Sequence, residues 1–265
     1  MPTRIKILLL ISLAVLFISS CSEDGPGSRP GDCAQPGVVL TFDDDSVDNW
    51  HSQRDLFNEY GAKATFFVSN VGSFPDGKIE QLRDLNSDGH EIGSHGYKHV
   101  GVDGYAETGH LQEYLDEIIL PSLDTLRSWG FEVNTFAYPY GKHTNESDEL
   151  LLKHFKFLRY SPGLTDTEEV FYHCGNNEKV LDCVWVDNGG NSEGEINRIL
   201  EVAKTRKKVL ILCAHTPDDQ QEGAYFISSA KLKFILETAR DKGLKFYTMS
   251  KLDEIPRTQY SPSSQ

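Results

Sequence analysis

The sequence predicts an α/β fold, a single barrel-like domain from about Gly37 to Pro256 with no internal repeat and no interdomain linker. Short apolar runs alternate with amphipathic stretches along that span, the order expected of parallel β/α units. With 265 residues and 38% hydrophobic content, the chain can fill one sizeable core.

The first strand is "GVVLTF", Gly37 to Phe42, and it runs straight into Asp43, Asp44 and Asp45. A helix starting near Val47, capped by Asp45 or Ser46, continues through "WHSQRDLFNEYG". The strand "ATFFVS", the helix "GKIEQLRDLNSDG" and the strand-like "HEIGSHG" follow. From Thr108 to Trp129 a longer helix carries Leu111, Leu115, Ile118, Ile119, Leu123 and Leu126 on one face, with Pro121 as a kink or break; this stripe reads as core packing. Next come the strand in "NTFAYPYG", a helix in "ESDELLLKHFKFL" and the strand-like "DCVWVD". The helix "GEINRILEVAKT", the strand "KVLILCAH", the helix "SSAKLKFILETARDKG" and a last strand "LKFYTM" complete the order.

The ends of the chain read differently. Residues 1–20 have a basic start and an apolar stretch, Ile7 to Ile18, that is short for a membrane span, as in a secretory leader. "ISSC" resembles a bacterial lipobox, which would make Cys21 a lipidated first residue and attach the chain to a membrane. Residues 21–36 are polar and rich in Gly and Pro, as a flexible tether is, and residues 257–265 form a tail. The acidic residues after Cys21 resemble a surface-export signal, so the expected location is the bacterial cell envelope, at the outer membrane or cell surface. The net charge of −14 grows more negative when Arg4 and Lys6 leave with the leader, which argues against nucleic acid as a partner. Of the remaining cysteines, Cys174 and Cys183 flank a turn-rich segment and could close a short disulfide loop, although the pairing with Cys33 and Cys213 stays open. Cys213 sits in an apolar run and reads as a small buried hydrophobe.

The chemistry gathers at strand ends. Asp43 and Asp44 leave the first strand where α/β folds build their sites. In "HEIGSHGYKHVG", His95 and His99 are spaced to present both imidazoles to one small cation from a loop or single helical turn. Two neutral nitrogens and one carboxylate oxygen make a facial set with positions left for water and substrate. Consecutive residues leaving a strand point apart, so one aspartate binds the metal and the other is free to take a proton. His215, ending "LILCAH", would emerge on the same face and could serve as the acid for a leaving group. A metal-assisted hydrolase follows.

"TFDD" at 41–44, "SHGYKH" at 94–99, "YPYG" at 138–141 and "LCAH" at 212–215 together resemble the motifs of the polysaccharide deacetylase family, carbohydrate esterase family four, over roughly Gly37 to Met249. The resemblance implies a deformed (β/α) barrel that removes acetyl groups from an N-acetylated or O-acetylated polysaccharide with one divalent ion, zinc before cobalt or nickel. It implies Asp43 as general base, Asp44, His95 and His99 as metal ligands, His215 as general acid and the Tyr140 backbone N–H as oxyanion donor. Tyr97, Tyr138, Tyr140 and Trp185 offer faces on which sugars could stack.

The chain also departs from that pattern. Asp45 replaces a frequent glycine, and would either perturb the site or cap the next helix. Ala137 stands where many members carry an arginine beside the base, so Asp43 is expected to be held only by its neighbours, with a pKa higher than in an Arg-bearing relative. Support for His215 is loosely echoed in "DCVWVDN", by Asp182 or Asp187. The alternative to an enzyme is a carbohydrate-binding envelope lipoprotein that keeps the fold, and a metal phosphoesterase is a distant third. Asp43 and His215 favour the enzyme, since a binder needs neither base nor acid.

Overall fold

The computed structural model describes residues 31–161, 170–221 and 223–258. The expected leader, most of the tether and nearly all of the tail lie outside these residues. Among the described residues no helix is long and apolar enough to cross a membrane.

The strands are β1 (Gly37–Asp44), β2 (Ala64–Val68), β3 (Glu91–Ser94), β4 (Thr135–Ala137), β5 (Phe157–Arg159), β6 (Phe171–Tyr172), β7 (Val180–Leu181), β8 (Val184–Trp185), β9 (Val209–Ala214), β10 (Thr216–Pro217), β11 (Phe226–Ile227) and β12 (Lys245–Tyr247). β1 lies parallel to β2 and β9, and β12 pairs with its first half. Parallel pairing continues from β2 through β3, β4 and β5 to β7. β8 runs parallel to the upper part of β9, and β6 antiparallel to its lower part. β7 and β8 are neighbours in the chain but hang on opposite edges, so the ring is a nearly closed barrel with one seam between them.

Strand periodicity divides the core in two. Val38, Leu40 and Phe42 of β1 pack under the helices, together with Phe66, Ile92, Phe136, Leu158, Leu210 and Leu212. Val39, Phe67, Ala137, Phe157, Leu181, Ile211 and Cys213 face the barrel interior. On these strands the odd-numbered residues point inward, so the same parity that buries Val39 and Phe157 carries Asp43 and Arg159 inward at the carboxyl ends of β1 and β5.

The opposite end of the interior is plugged by the short helix Met249–Glu254. Glu91 accepts hydrogen bonds there from Thr135 Oγ1 at 2.7 Å, Thr65 Oγ1 at 3.1 Å and the Ser250 amide at 2.9 Å. Burial raises its carboxyl pKa.

Several expectations change in detail. The helix around Pro121 is broken into Leu111–Tyr114, a π-helical turn at Leu115–Ile119 and Leu120–Ser128. Pro121 has no N–H to give the preceding turn and sits where a new helix can start instead. Only Asn145–Leu151 of the next predicted helix is helical, and its C-terminal part turns into β5. Ser46 stands at the start of Val47–Ser52 without capping it, because its hydroxyl is engaged by Thr216 Oγ1 at 2.7 Å. Cys174 pairs with Cys33 and not with Cys183, closing a sequence separation of 141 residues. Cys183 and Cys213 are free and buried.

Candidate active site

A cavity of about 500 Å³ opens at the carboxyl ends of the strands, and Asp43, Asp44, His95, His99, Tyr140 and His215 all line it. A larger cavity, about 620 Å³, lies at the amino ends beside Lys63, Lys245 and Tyr247, and its lining contains no histidine.

Asp44 ends β1 with φ 88°, a left-handed conformation that keeps both aspartates on the same cavity. Its carboxylate Oδ1 lies 3.7 Å from His95 Nε2 and 3.4 Å from His99 Nε2. The donor atoms of Asp44, His95 and His99 all fall within 4.8 Å of one another. His95 Nδ1 donates to the Ala137 carbonyl at 2.7 Å, which fixes the tautomer and leaves the Nε2 lone pair free for a cation. Burial lowers the His95 pKa to about 3, so the ring is neutral, as a ligand must be. These residues fit a small divalent cation. His99 comes to the site from an irregular loop and not from a helical turn.

Asp43 is buried, and its partner was not foreseen. Arg159 of β5 donates from Nη2 to Asp43 Oδ2 at 2.5 Å, and from Nη1 to Cys183 Sγ at 3.2 Å. Burial works to raise the Asp43 pKa, but the charge of Arg159, helped by that of His215 and by the Arg159 hydrogen bond, holds it below the usual carboxylate value. The expectation that Asp43 is held only by its neighbours, with no arginine beside it, is therefore overturned. Ala137 and Arg159 are register partners on adjacent strands, so a guanidinium reaches the carboxylate from the neighbouring strand. Asp43 Oδ1 is buried and has no hydrogen-bond partner, so it can still accept a proton. Asp45 neither caps a helix nor lines the cavity: its Oδ2 accepts from Asn70 Nδ2 at 3.1 Å.

His215 is held by Asp187. The ring Nδ1–H donates to Asp187 Oδ2 at 2.5 Å and the His215 amide to Oδ1 at 3.0 Å. Trp185 Nε1 donates to the same Oδ2 at 2.6 Å, and Lys231 Nζ to the Asp187 carbonyl at 2.8 Å. Of the candidates left open in "DCVWVDN", Asp187 is the one that touches the histidine. Burial works to lower the His215 pKa, but the Asp187 hydrogen bond and the charge of Asp43 push it up to about 9.

Tyr140 follows Pro139 with φ 61°, and Gly141 follows with φ 66°. A Cβ on Gly141 would sit 2.1 Å from the Ser161 carbonyl oxygen, so glycine is required where the chain passes beneath Ser161. The Tyr140 ring stands edge-on to His99 at 4.5 Å.

Residues 31–155 match the polysaccharide deacetylase family model. That match, just under half of the chain, supports the polysaccharide deacetylase family that the sequence motifs resemble. A chitin deacetylase of Arthroderma benhamiae is 34% identical over 123 residues, covering 43% of this chain and 33% of that protein. A probable peptidoglycan-N-acetylglucosamine deacetylase of the same organism is 36% identical over 111 residues, covering 40% and 25%. A Helicobacter pylori peptidoglycan deacetylase is 32% identical over 104 residues, covering 38% and 33%. The chain thus spans about a third or less of the length of these relatives. Among solved structures, the catalytic domain of a peptidoglycan N-acetylglucosamine deacetylase from Eubacterium rectale superposes with TM-score 0.54 at 15% identity, covering 91% of this chain and 99% of that one. The Xyl-CE4 domain of a multidomain xylanase from a Trinervitermes trinervoides hindgut metagenome gives 0.51 at 18% identity, covering 85% and 95%. The barrel is the polysaccharide deacetylase fold.

Arg159, Lys231 and Tyr225 were missed from sequence. The alternation in "FKFLR" was the available signal for Arg159, but it was absorbed into the preceding helix. Lys231 sits in a helical face with nothing to distinguish it from any other lysine.

Proposed function

We propose that the chain is a metal-dependent carbohydrate deacetylase that hydrolyses acetyl groups on an N-acetylated or O-acetylated polysaccharide. The observation that carries this is electrostatic: one cavity holds a carboxyl kept charged by Arg159 and an imidazole kept protonated by Asp187, beside a cation-binding donor set. Titratable groups driven apart in this way divide naturally into base and acid.

Asp44, His95 and His99 would hold the ion. When bound, such a cation lowers the pKa of water to about 7 and polarises a carbonyl. Asp43, charged and with Oδ1 free, removes the proton from water as it attacks the acetyl carbonyl carbon. The Tyr140 amide donates a hydrogen bond to the oxygen as negative charge develops there. His215, protonated at neutral pH, gives its proton to the departing nitrogen or oxygen as the bond to the acetyl carbon breaks. A protein that only bound glycan would need neither dyad.

The proposal includes export and a lipid on Cys21, with attachment to the cell envelope. The Cys33–Cys174 disulfide supports an oxidising compartment. Acetate release from a panel of acetylated glycans, assayed with and without chelator, tests the reaction. His95→Ala is expected to lose bound metal, whereas Asp43→Asn and His215→Ala keep it and lose most turnover. No acetate from any glycan, or turnover indifferent to chelator, overturns the reading.

A further inference from the structure

Among the described residues, the exposed large hydrophobic side chains are Tyr140 and Tyr225, at 67% and 61% exposure, and both line the cavity. Tyr140 belongs to the turn that carries the proposed oxyanion donor. Tyr225 has no such duty. An aromatic ring left in water at the mouth of a catalytic cavity calls for an occupant.

Tyr225 is also carefully held. The loop that carries it is closed at its base by the pairing of β10 with β11. It is pinned laterally by the Asn188 amide donating to the Phe226 carbonyl at 2.8 Å and the Gly189 amide to the Ala224 carbonyl at 3.2 Å. A Cβ on Gly189 would lie 2.7 Å from Ala224 Cβ, so the absence of a side chain lets the loop settle this close. The Tyr225 ring stacks on Trp185 with centroids 5.4 Å apart and planes at 28°, and meets His215 edge-on at 5.1 Å.

A pyranose presents a face of C–H groups that packs on the electron-rich face of an aromatic ring. A rigid tyrosine offers that surface at little entropic cost. Because Tyr225 touches the proposed acid, any sugar against it lies on the side where the leaving group departs. We propose that Tyr225, backed by Trp185, stacks the sugar unit next to the acetylated one, so that the site selects a glycan chain over a single acetylated sugar. This rests on the deacetylase reading.

The test compares wild type, Tyr225→Ala and Tyr225→Phe on a single sugar, dimer and tetramer of N-acetylglucosamine and of acetylated xylose. The preference for tetramer over single sugar, as a ratio of kcat/KM, is expected to fall about tenfold in Tyr225→Ala, chiefly through KM, and to be kept in Tyr225→Phe. In parallel, chelated protein is titrated with the tetramers while tryptophan fluorescence is followed, with Trp185→Phe identifying the reporter. Tetramer binding should perturb Trp185 in wild type and much less in Tyr225→Ala. Turnover with an unchanged length preference in Tyr225→Ala overturns the role of Tyr225 and leaves the deacetylase standing. Tyr225-dependent binding with no acetate released does the reverse, and neither signal removes both.

Discussion

Arg159 and Asp43 form a buried ion pair, and pairs of that kind are costly to break from one side. Arg159→Ala would strand a buried carboxylate. It is expected to lose about 3–5 kcal/mol in denaturant unfolding, together with most turnover. Ala137→Arg combined with Arg159→Ala should recover part of that loss, because the register places residue 137 beside 159. Ala137→Arg alone has no vacancy to fill and should destabilise by overpacking. An unchanged unfolding midpoint in Arg159→Ala would contradict the pair. For His215, the raised folded pKa means that Asp187 favours the charged ring. In Asp187→Asn the alkaline limb of kcat/KM, set near 9 by His215, should therefore move to lower pH. A bound dication lowers the limb in both proteins and leaves the direction of the difference unchanged. Stability follows the same sign. The contribution is full below the unfolded histidine value of about 6.5 and is lost as pH rises through about 9, so the gap between wild type and Asp187→Asn should narrow over that window. A gap that widens would be the wrong sign.

At the scale of elements, the polar floor of the barrel ties β2, β3 and β4 to the C-terminal helix through Glu91. Glu91→Gln places an amide among groups that already donate. It should cost about 1–3 kcal/mol by thermal or denaturant melting, with metal content kept. Melting like wild type would show that the floor tolerates a donor. The longer strands were legible because β1 and β9 are unbroken apolar runs ending in chemically distinctive residues. β5 was not. Its residues follow a helix with favourable helical spacing, and only pairing with β4 and β7 decides that they extend. Losing that strand meant losing Arg159, and with it the neighbour of Asp43. The donor set of Asp44, His95 and His99 was legible for the opposite reason, since each residue sits at or just beyond the end of a readable strand. Asp187 could not be separated from Asp182, because β7 and β8 are too short to show a period and the choice depends on where β9 brings His215.

For the molecule as a whole, the Cys33–Cys174 bond joins the segment before β1 to the one after β6 across 141 residues. In the chain-entropy model a closure of that length is worth about 5 kcal/mol, the top of the usual range. Cys33→Ser with Cys174→Ser is expected to unfold at distinctly lower denaturant, and reductant should bring wild type down to match it. If reduction leaves the midpoint in place, the bond carries no stability.

The same bond sets the path of mechanical load. Cys33 precedes β1 by only a few residues, and its partner lies beside β6, which is hydrogen bonded to β9. Under the proposed attachment at Cys21, a pull from the N-terminal side would meet a covalent branch point at Cys33 before it reached the strand that carries Asp43 and Asp44. Part of the tension passes into β6 and the lower edge of β9, away from the carboxyl ends where the cavity opens. Were the chain attached through Cys21 as proposed, the cavity at one end of the barrel would stay in register while the other end is tugged.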